Sequence, residues 1–206
     1  MKWIETDQKL TQSRFKVFTD REFRAIAGVS PISAKFLLIR YTRQGLLCRL
    51  KRGLYAVKAR MPSTWVIANR LYRPSYVSLS SALSYYGLIP ETVYAVTSVT
   101  TKSTREFEAR GVSYSYRTIK RSAFSGYRSV EINGESVLMA EKEKALADYL
   151  YFVFLKKEPW NRRLNTDGVH RGKLNACLEL FDSPLFIKWF NREKHDLEIP
   201  DRRTAR

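Results

Sequence analysis

Apolar positions in the first sixty residues recur at helical spacing and then switch to strand spacing. Trp3, Leu10 and Val17 repeat every seven residues, which predicts a first helix within residues 1–17. Thr19-Asp20-Arg21-Glu22 fits a capping box, in which Thr19 and Glu22 each satisfy the other's free backbone N–H. Phe23, Ile26 and Ala27 then make an apolar stripe, and Gly28 supplies the left-handed residue that stops a helix. Ser30-Pro31 follows at once, an N-cap with proline at the first helical position. The next helix is predicted from Pro31 to about Gln44, with Gly45 as its terminator. Two short helices joined by a tight glycine turn make a helix-turn-helix.

Beyond Gly45 the elements become strand-length. Leu46 to Leu50 and Leu54 to Val57 bracket Lys51-Arg52-Gly53, where Gly53 can take the positive φ of a tight hairpin. A hairpin directly behind the second helix is a wing. Ala59-Arg60-Met61-Pro62-Ser63 reads as a linker, since Pro62 cannot continue a strand. The fold class is therefore α+β: a winged helix-turn-helix over residues 1–60, then a mixed α+β domain over 63–206. In that second part Ser63 or Thr64 caps a helix through Tyr72, and Ser80 caps another that ends at Gly87. Val112 to Arg117 alternates with period two, the mark of a half-exposed strand. Asn133-Gly134 suits a type I′ hairpin turn, which puts Val130 opposite Val137. Glu141 to Leu155 reads as a helix, the segment around Arg162, Arg163, Arg171 and Lys173 as a loop, and Leu174–Phe181 and Leu185–Phe190 as helices.

Charge sharpens the picture. The net charge is +17, and residues 23–90 hold eleven Lys/Arg and no acid, whereas residues 91–206 hold twenty-one basic against sixteen acidic. A field of one sign concentrates a polyanion and speeds its capture. The second part, with its mixed charge, suits a protein partner or a regulatory contact better. The longest apolar run, Tyr149 to Leu155, is seven residues, far short of the ~18 a membrane span needs. The N-terminus turns polar before a signal-peptide core could form, and Cys48 and Cys177 are too few for a disulfide framework. A soluble, cytoplasmic protein without membrane contact is expected.

On a helical projection of Pro31–Gln44, Ala34, Leu37, Leu38 and Tyr41 share the inward face. Ser33, Phe36, Arg40 and Arg43 fall on the outer side, with Lys35 at its boundary, and are the candidate DNA-reading residues. Arg49, Lys51 and Arg52 on the wing suit phosphate contacts, which position a protein without reading sequence. Ile32, Phe36 and Ile39 also point outward, where three roles fit them: thymine methyl contacts, packing on the N-terminal helix, or a dimer contact. Tyr114, Tyr116, Phe124 and Tyr127 interleave with basic residues, a pattern that lines one side of a sheet more often than it stacks single-stranded nucleic acid. Enzyme signatures are poor. The two histidines, His170 and His195, lie in polar surroundings near the C-terminus, and neither GxSxG nor GxxxxGK[ST] occurs. Glu141-Lys142-Glu143-Lys144 lacks the acid-x-lysine spacing of a nuclease and reads as a helix start. No catalytic residue, metal site or cofactor is expected. A nucleic-acid-processing enzyme would need carboxylates converging in the fold, and a pure interaction module would show little salt-dependent DNA affinity.

Several segments together resemble the AbiEi family, the antitoxin halves of abortive-infection (type IV) toxin–antitoxin systems. They are Phe18-Thr19, the wing from Gly45 through Lys51-Arg52-Gly53-Leu54-Tyr55, Ser75 to Pro90, Val96 to Thr100 and Ala140 to Asp148. The most specific is Ser81-Ala82-Leu83-Ser84-Tyr85-Tyr86-Gly87-Leu88, and the tail beyond Pro159 has no counterpart. The resemblance implies a winged-helix domain that binds the double-stranded operator of its own operon and represses it. It also implies a C-terminal domain that neutralises a nucleotidyltransferase-like toxin. This chain lacks the Gly-Ser and paired aspartates of the toxin half. Stand-alone transcriptional regulators share the architecture.

Overall fold

The computed structural model describes residues 2–13 and 15–193, so His195 lies outside the described residues. The chain opens with α1 (Trp3–Gln12), and Val17, expected on that helix, instead begins the short strand β1 (Val17–Thr19). The capping box closes as the sequence requires: the Glu22 N–H donates to Thr19 Oγ1 (3.2 Å), and the Thr19 N–H donates to the Glu22 carboxylate (2.7 Å). It starts α2 (Asp20–Ala27), which Gly28 ends at φ 69°. Ser30 accepts from the Ser33 N–H and starts α3 (Pro31–Arg43), whose buried residues are Ala34, Leu37, Leu38 and Tyr41. The wing strands are β2 (Leu47–Lys51) and β3 (Leu54–Val57).

The wing is a three-stranded antiparallel sheet in the order β1-β3-β2. Both of its faces are covered. Strand alternation sends Phe18, Leu47 and Val57 into the core of α1, α2 and α3, together with Leu10, Phe23, Leu38 and Tyr41. Val17, Leu50, Leu54 and Ala56 enter the core of the second part, beside Ile67, Leu71 and Tyr116. The sheet is thus a layer shared by two cores.

The second part adds α4 (Thr64–Leu71), β4 (Ser75–Val77), α5 (Leu79–Tyr85), β5 (Val96–Thr100), β6 (Arg105–Ala109), β7 (Val112–Thr118), β8 (Tyr127–Ile132), β9 (Glu135–Ala140) and α6 (Lys142–Phe154). The chain continues through α7 (Arg171–Glu179) and α8 (Pro184–Glu193). Six strands form a mixed sheet in the order β6-β7-β5-β4-β9-β8. Asn133 (φ 51°) and Gly134 (φ 71°) make the tight turn, and Val130 pairs with Val137 as the turn dictates. One sheet face meets α4, where Tyr116 Oη donates to the Ala68 carbonyl (2.7 Å). The other meets α6, where Tyr76 Oη donates to Asp148 (3.1 Å). Strand β4 is short and pairs with β9 only at Val77–Met139. The Asn69 amide therefore bonds both backbone groups of Leu138, supplying pairing the strand does not.

Two local expectations change. Helix α5 begins at Leu79, ahead of the Ser80 cap, with Ser78 at the N-cap position. The Ser78 hydroxyl donates to Asp148 (2.7 Å) rather than capping the helix. Arg171 and Lys173 lie in the first turn of α7, not in a loop, because His170 Nδ1 accepts the Lys173 N–H and caps that helix. Tyr114 and Tyr116 are buried, and Tyr127 stacks on Tyr76 (centroids 4.4 Å), so these rings build the core of the sheet rather than a stacking platform.

Candidate nucleic-acid interface

A groove of about 740 Å³ runs between α2, α3 and the wing. Three of the expected residues line it: Lys35 from α3, Arg49 from β2 and Arg52 from the hairpin turn. Two further cations come from α2, Arg21 and Arg24. They lie on the face of α2 away from buried Phe23 and Ala27, so the stripe that marked the inside of that helix also marked them as outside. Among the described residues, none of these five is held in an ion pair, and Asp20 is the carboxylate that lines the same groove. Five cations around one concave surface give it a field of one sign, which attracts anions.

Ser33, Phe36, Arg40 and Arg43 line the opposite flank of α3, along a shallower groove that Val29 and Gln44 complete. Ile39 borders both grooves and so stands on the crest between them. Ile32 and Phe36 are 71% and 67% exposed, which removes packing on the N-terminal helix from their three roles. Arg40 folds back along its own helix, its guanidinium 4.9 Å from the Tyr41 ring centroid and donating to Tyr41 Oη (3.1 Å). The Ser33 hydroxyl accepts from Ser30 Oγ (2.9 Å), which ties it to the start of the helix.

Lys51, expected beside Arg49 and Arg52 on the wing, does not line the groove between α2, α3 and the wing. An irregularity in the β2–β3 register between Arg49 and Lys51 turns it away from Arg49 and onto the face of Leu54, its cross-strand partner. Its ammonium donates to the Leu71 carbonyl and lies 5.3 Å from the Phe107 ring centroid, both in the second part of the chain. Wing residues alternate in direction, and a single bulged position is invisible to a count along the sequence.

Ion pairs hold the winged unit against the rest. Glu22, after closing the cap, also accepts from Arg70 of α4. Burial opposes its ionised form, but the Arg70 guanidinium and the Thr19 N–H outweigh that and keep its carboxyl below the ordinary range. Glu135, on the hairpin, accepts from Lys16 (2.9 Å) and from the Ser63 N–H (2.9 Å), and its carboxyl is lowered in the same way despite burial.

The carboxylates of α6 have structural partners. Asp148 is fully buried and accepts from Lys144, Ser78 and Tyr76, while Glu143 accepts the His170 N–H. Burial raises the Asp148 carboxyl even with Lys144 beside it. Among the described residues no three His, Cys, Asp or Glu side chains group as a metal site, and no helix is long and apolar enough to cross a membrane.

Residues 8–58 match the protein-family model described as "Transcriptional regulator, AbiEi antitoxin". The match begins within α1 and ends just past β3, so it covers the cations of the groove. No curated protein matches the chain.

Proposed function

We propose that this protein is a DNA-binding antitoxin that represses its own operon and counteracts a nucleotidyltransferase-like toxin. The observation that carries the DNA half is the groove. Arg21, Arg24, Lys35, Arg49 and Arg52 converge from three elements of a winged helix-turn-helix whose sequence matches antitoxin regulators. In this reading α3 enters the major groove with Ser33, Phe36, Arg40 and Arg43, while the wing and α2 hold the backbone on either side. The second part, with its near-balanced charge, meets the toxin.

A stand-alone transcriptional regulator is the second reading, favoured by one observation: the family match stops at residue 58, so the antitoxin half of the proposal rests on sequence resemblance alone. Neither reading includes catalysis. The Glu143 and Asp148 carboxylates are committed to His170 and Lys144, and magnesium, manganese or zinc should elicit no nuclease or nucleotidyl transfer.

Two measurements test the proposal. Duplex DNA from upstream of the gene should bind with an affinity that falls linearly with salt on logarithmic axes. Co-expression with the neighbouring gene should rescue growth. Binding and repression without a toxic neighbour would leave the regulator reading, and no binding would remove both.

A further inference from the structure

Lys51, Lys102 and Arg105 meet on the far side of the wing from α3. Their cationic groups surround two adjoining rings, Tyr72 and Phe107, whose centroids are 5.7 Å apart. Lys51 Nζ lies 5.3 Å from the Phe107 centroid, Lys102 Nζ 5.5 Å from Tyr72, and Arg105 Cζ 5.9 Å from both. Among the described residues no carboxylate pairs with any of the three. Strand β6 contains acids, but alternation segregates them. Arg105 and Phe107 pair with Tyr116 and Tyr114, whereas Glu106 and Glu108 pair with Ser115 and Ser113 and face away. Like charges gathered without a counter-charge repel one another, and burial together with Arg105 and Lys102 lowers the Lys51 ammonium below its ordinary range. The π faces and the Leu71 carbonyl offset part of that repulsion. An anion would offset the rest.

We infer that Lys51, Lys102 and Arg105 form a second phosphate-binding site, on the junction between the wing and the second domain, that takes a phosphodiester of the same duplex held by α3. The inference rests on the DNA-binding reading above. Its geometric basis is the wing tip. Arg49 and Arg52 face the α3 groove, and Lys51, between them in sequence, faces the second domain. The tip therefore carries positive charge on both sides, and a backbone passing it meets both. Arg110, at the β6–β7 turn, donates to Cys48 Sγ (3.6 Å) on the wing strand and extends the same basic surface. The second domain thus lengthens the footprint without reading bases, since phosphate contacts position and carry no sequence information.

The test uses the full chain and a duplex from upstream of its own gene, or one selected from a random pool. Lys102 and Arg105 are exposed, so Lys102→Ala/Arg105→Ala leaves the core intact, which a melting curve checks. Losing that one phosphate contact makes the log–log salt slope shallower by about 0.9, so the affinity lost between about 50 and 200 mM salt shrinks roughly three- to fourfold. Base preference is unchanged, and ethylation interference disappears only at phosphates flanking the α3 site. Arg105→Lys alone keeps most of the slope. An unchanged slope and interference pattern in the double variant, with wild-type binding intact, would overturn this inference and leave the DNA reading standing. So would inorganic phosphate shifting the Lys102 and Arg105 resonances while the duplex slope stays the same, since the site would then serve free phosphate. Absence of any salt-dependent duplex binding by the wild type would overturn both.

Discussion

At the scale of single residues, the outer surface of α3 combines apolar and basic groups, and its contacts are separable by chemistry. Ile32 and Phe36 are exposed on a helix flanked by cations, so the thymine methyl is a contact that would cover them. Replacing thymine by uracil throughout a bound duplex should weaken wild-type binding, and Phe36→Ala should abolish that methyl dependence. Equal sensitivity in wild type and variant would remove thymine reading from Phe36. Ser33→Ala and Arg40→Ala should relax preference at particular base pairs by about 1–3 kcal/mol rather than weaken every sequence alike, as a selection on randomised duplexes would reveal. Lys144 and Asp148 carry a different consequence, because both are wholly buried. Lys144→Ala leaves the Asp148 carboxylate in the core without its counter-charge and should cost about 3–5 kcal/mol in denaturant unfolding, while Lys144→Met with Asp148→Leu should cost less. The double variant matching the single one would contradict the pairing. The inward face of α3, the capping box and the Val130–Val137 register were legible in the sequence because each depends on a few adjacent residues. The orientations of Lys51 and Arg40 were not, because each is decided by a contact the chain order does not announce: the bulge and Leu71 for one, the Tyr41 ring for the other.

At the scale of elements, the wing sheet does two jobs that the sequence presented as one. Its hairpin was readable from Gly53 and the flanking apolar runs. Its third strand was hidden inside the heptad-like spacing of Trp3, Leu10 and Val17, and the covering of its second face depends on residues outside the hairpin, such as Ile67, Leu71 and Tyr116. Strands β4, β5 and β6 are short, and their pairing crosses the sheet, so alternation within each is too brief to mark them. Leu54 is one of the buried residues on the face shared with the second part, and Leu54→Ala should lower stability by about 2–5 kcal/mol, measured by urea unfolding of the full chain. A cost below about 1 kcal/mol would mean that face is loosely packed. The ion pairs at the same junction set its acid response. Glu22 and Glu135 both have carboxyls lowered from an ordinary value of 4.5. Their contribution is present in full above 4.5 and is lost as pH falls through their lower folded values. Glu22→Gln and Glu135→Gln should therefore flatten stability against pH on the acid side and leave the neutral-to-alkaline side unchanged. A steep acid limb that survives both substitutions would assign it to other carboxylates.

At the scale of the whole molecule, the winged unit and the second part of the chain meet across a shared core, so cutting the chain near residue 60 exposes Val17, Leu50, Leu54 and Ala56 to water. Point variants in the full chain are consequently the cleaner way to separate DNA binding from protection against a toxin. Arg49→Ala/Arg52→Ala should lose repression and keep protection, because both side chains line the α3 groove on the far side of the wing from the second part of the chain. Four cations of the acid-free window over residues 23–90, Arg24, Lys35, Arg49 and Arg52, line one groove with Arg21, which gives that part of the charge a direction. The most direct test is the equilibrium affinity of the full chain for duplex DNA from upstream of its own gene, followed across salt. The account predicts a linear fall of log affinity with log salt, at about 0.9 per phosphate neutralised, and a shallower line for Arg49→Ala/Arg52→Ala. An affinity independent of salt, or a slope untouched by that double variant, would contradict it.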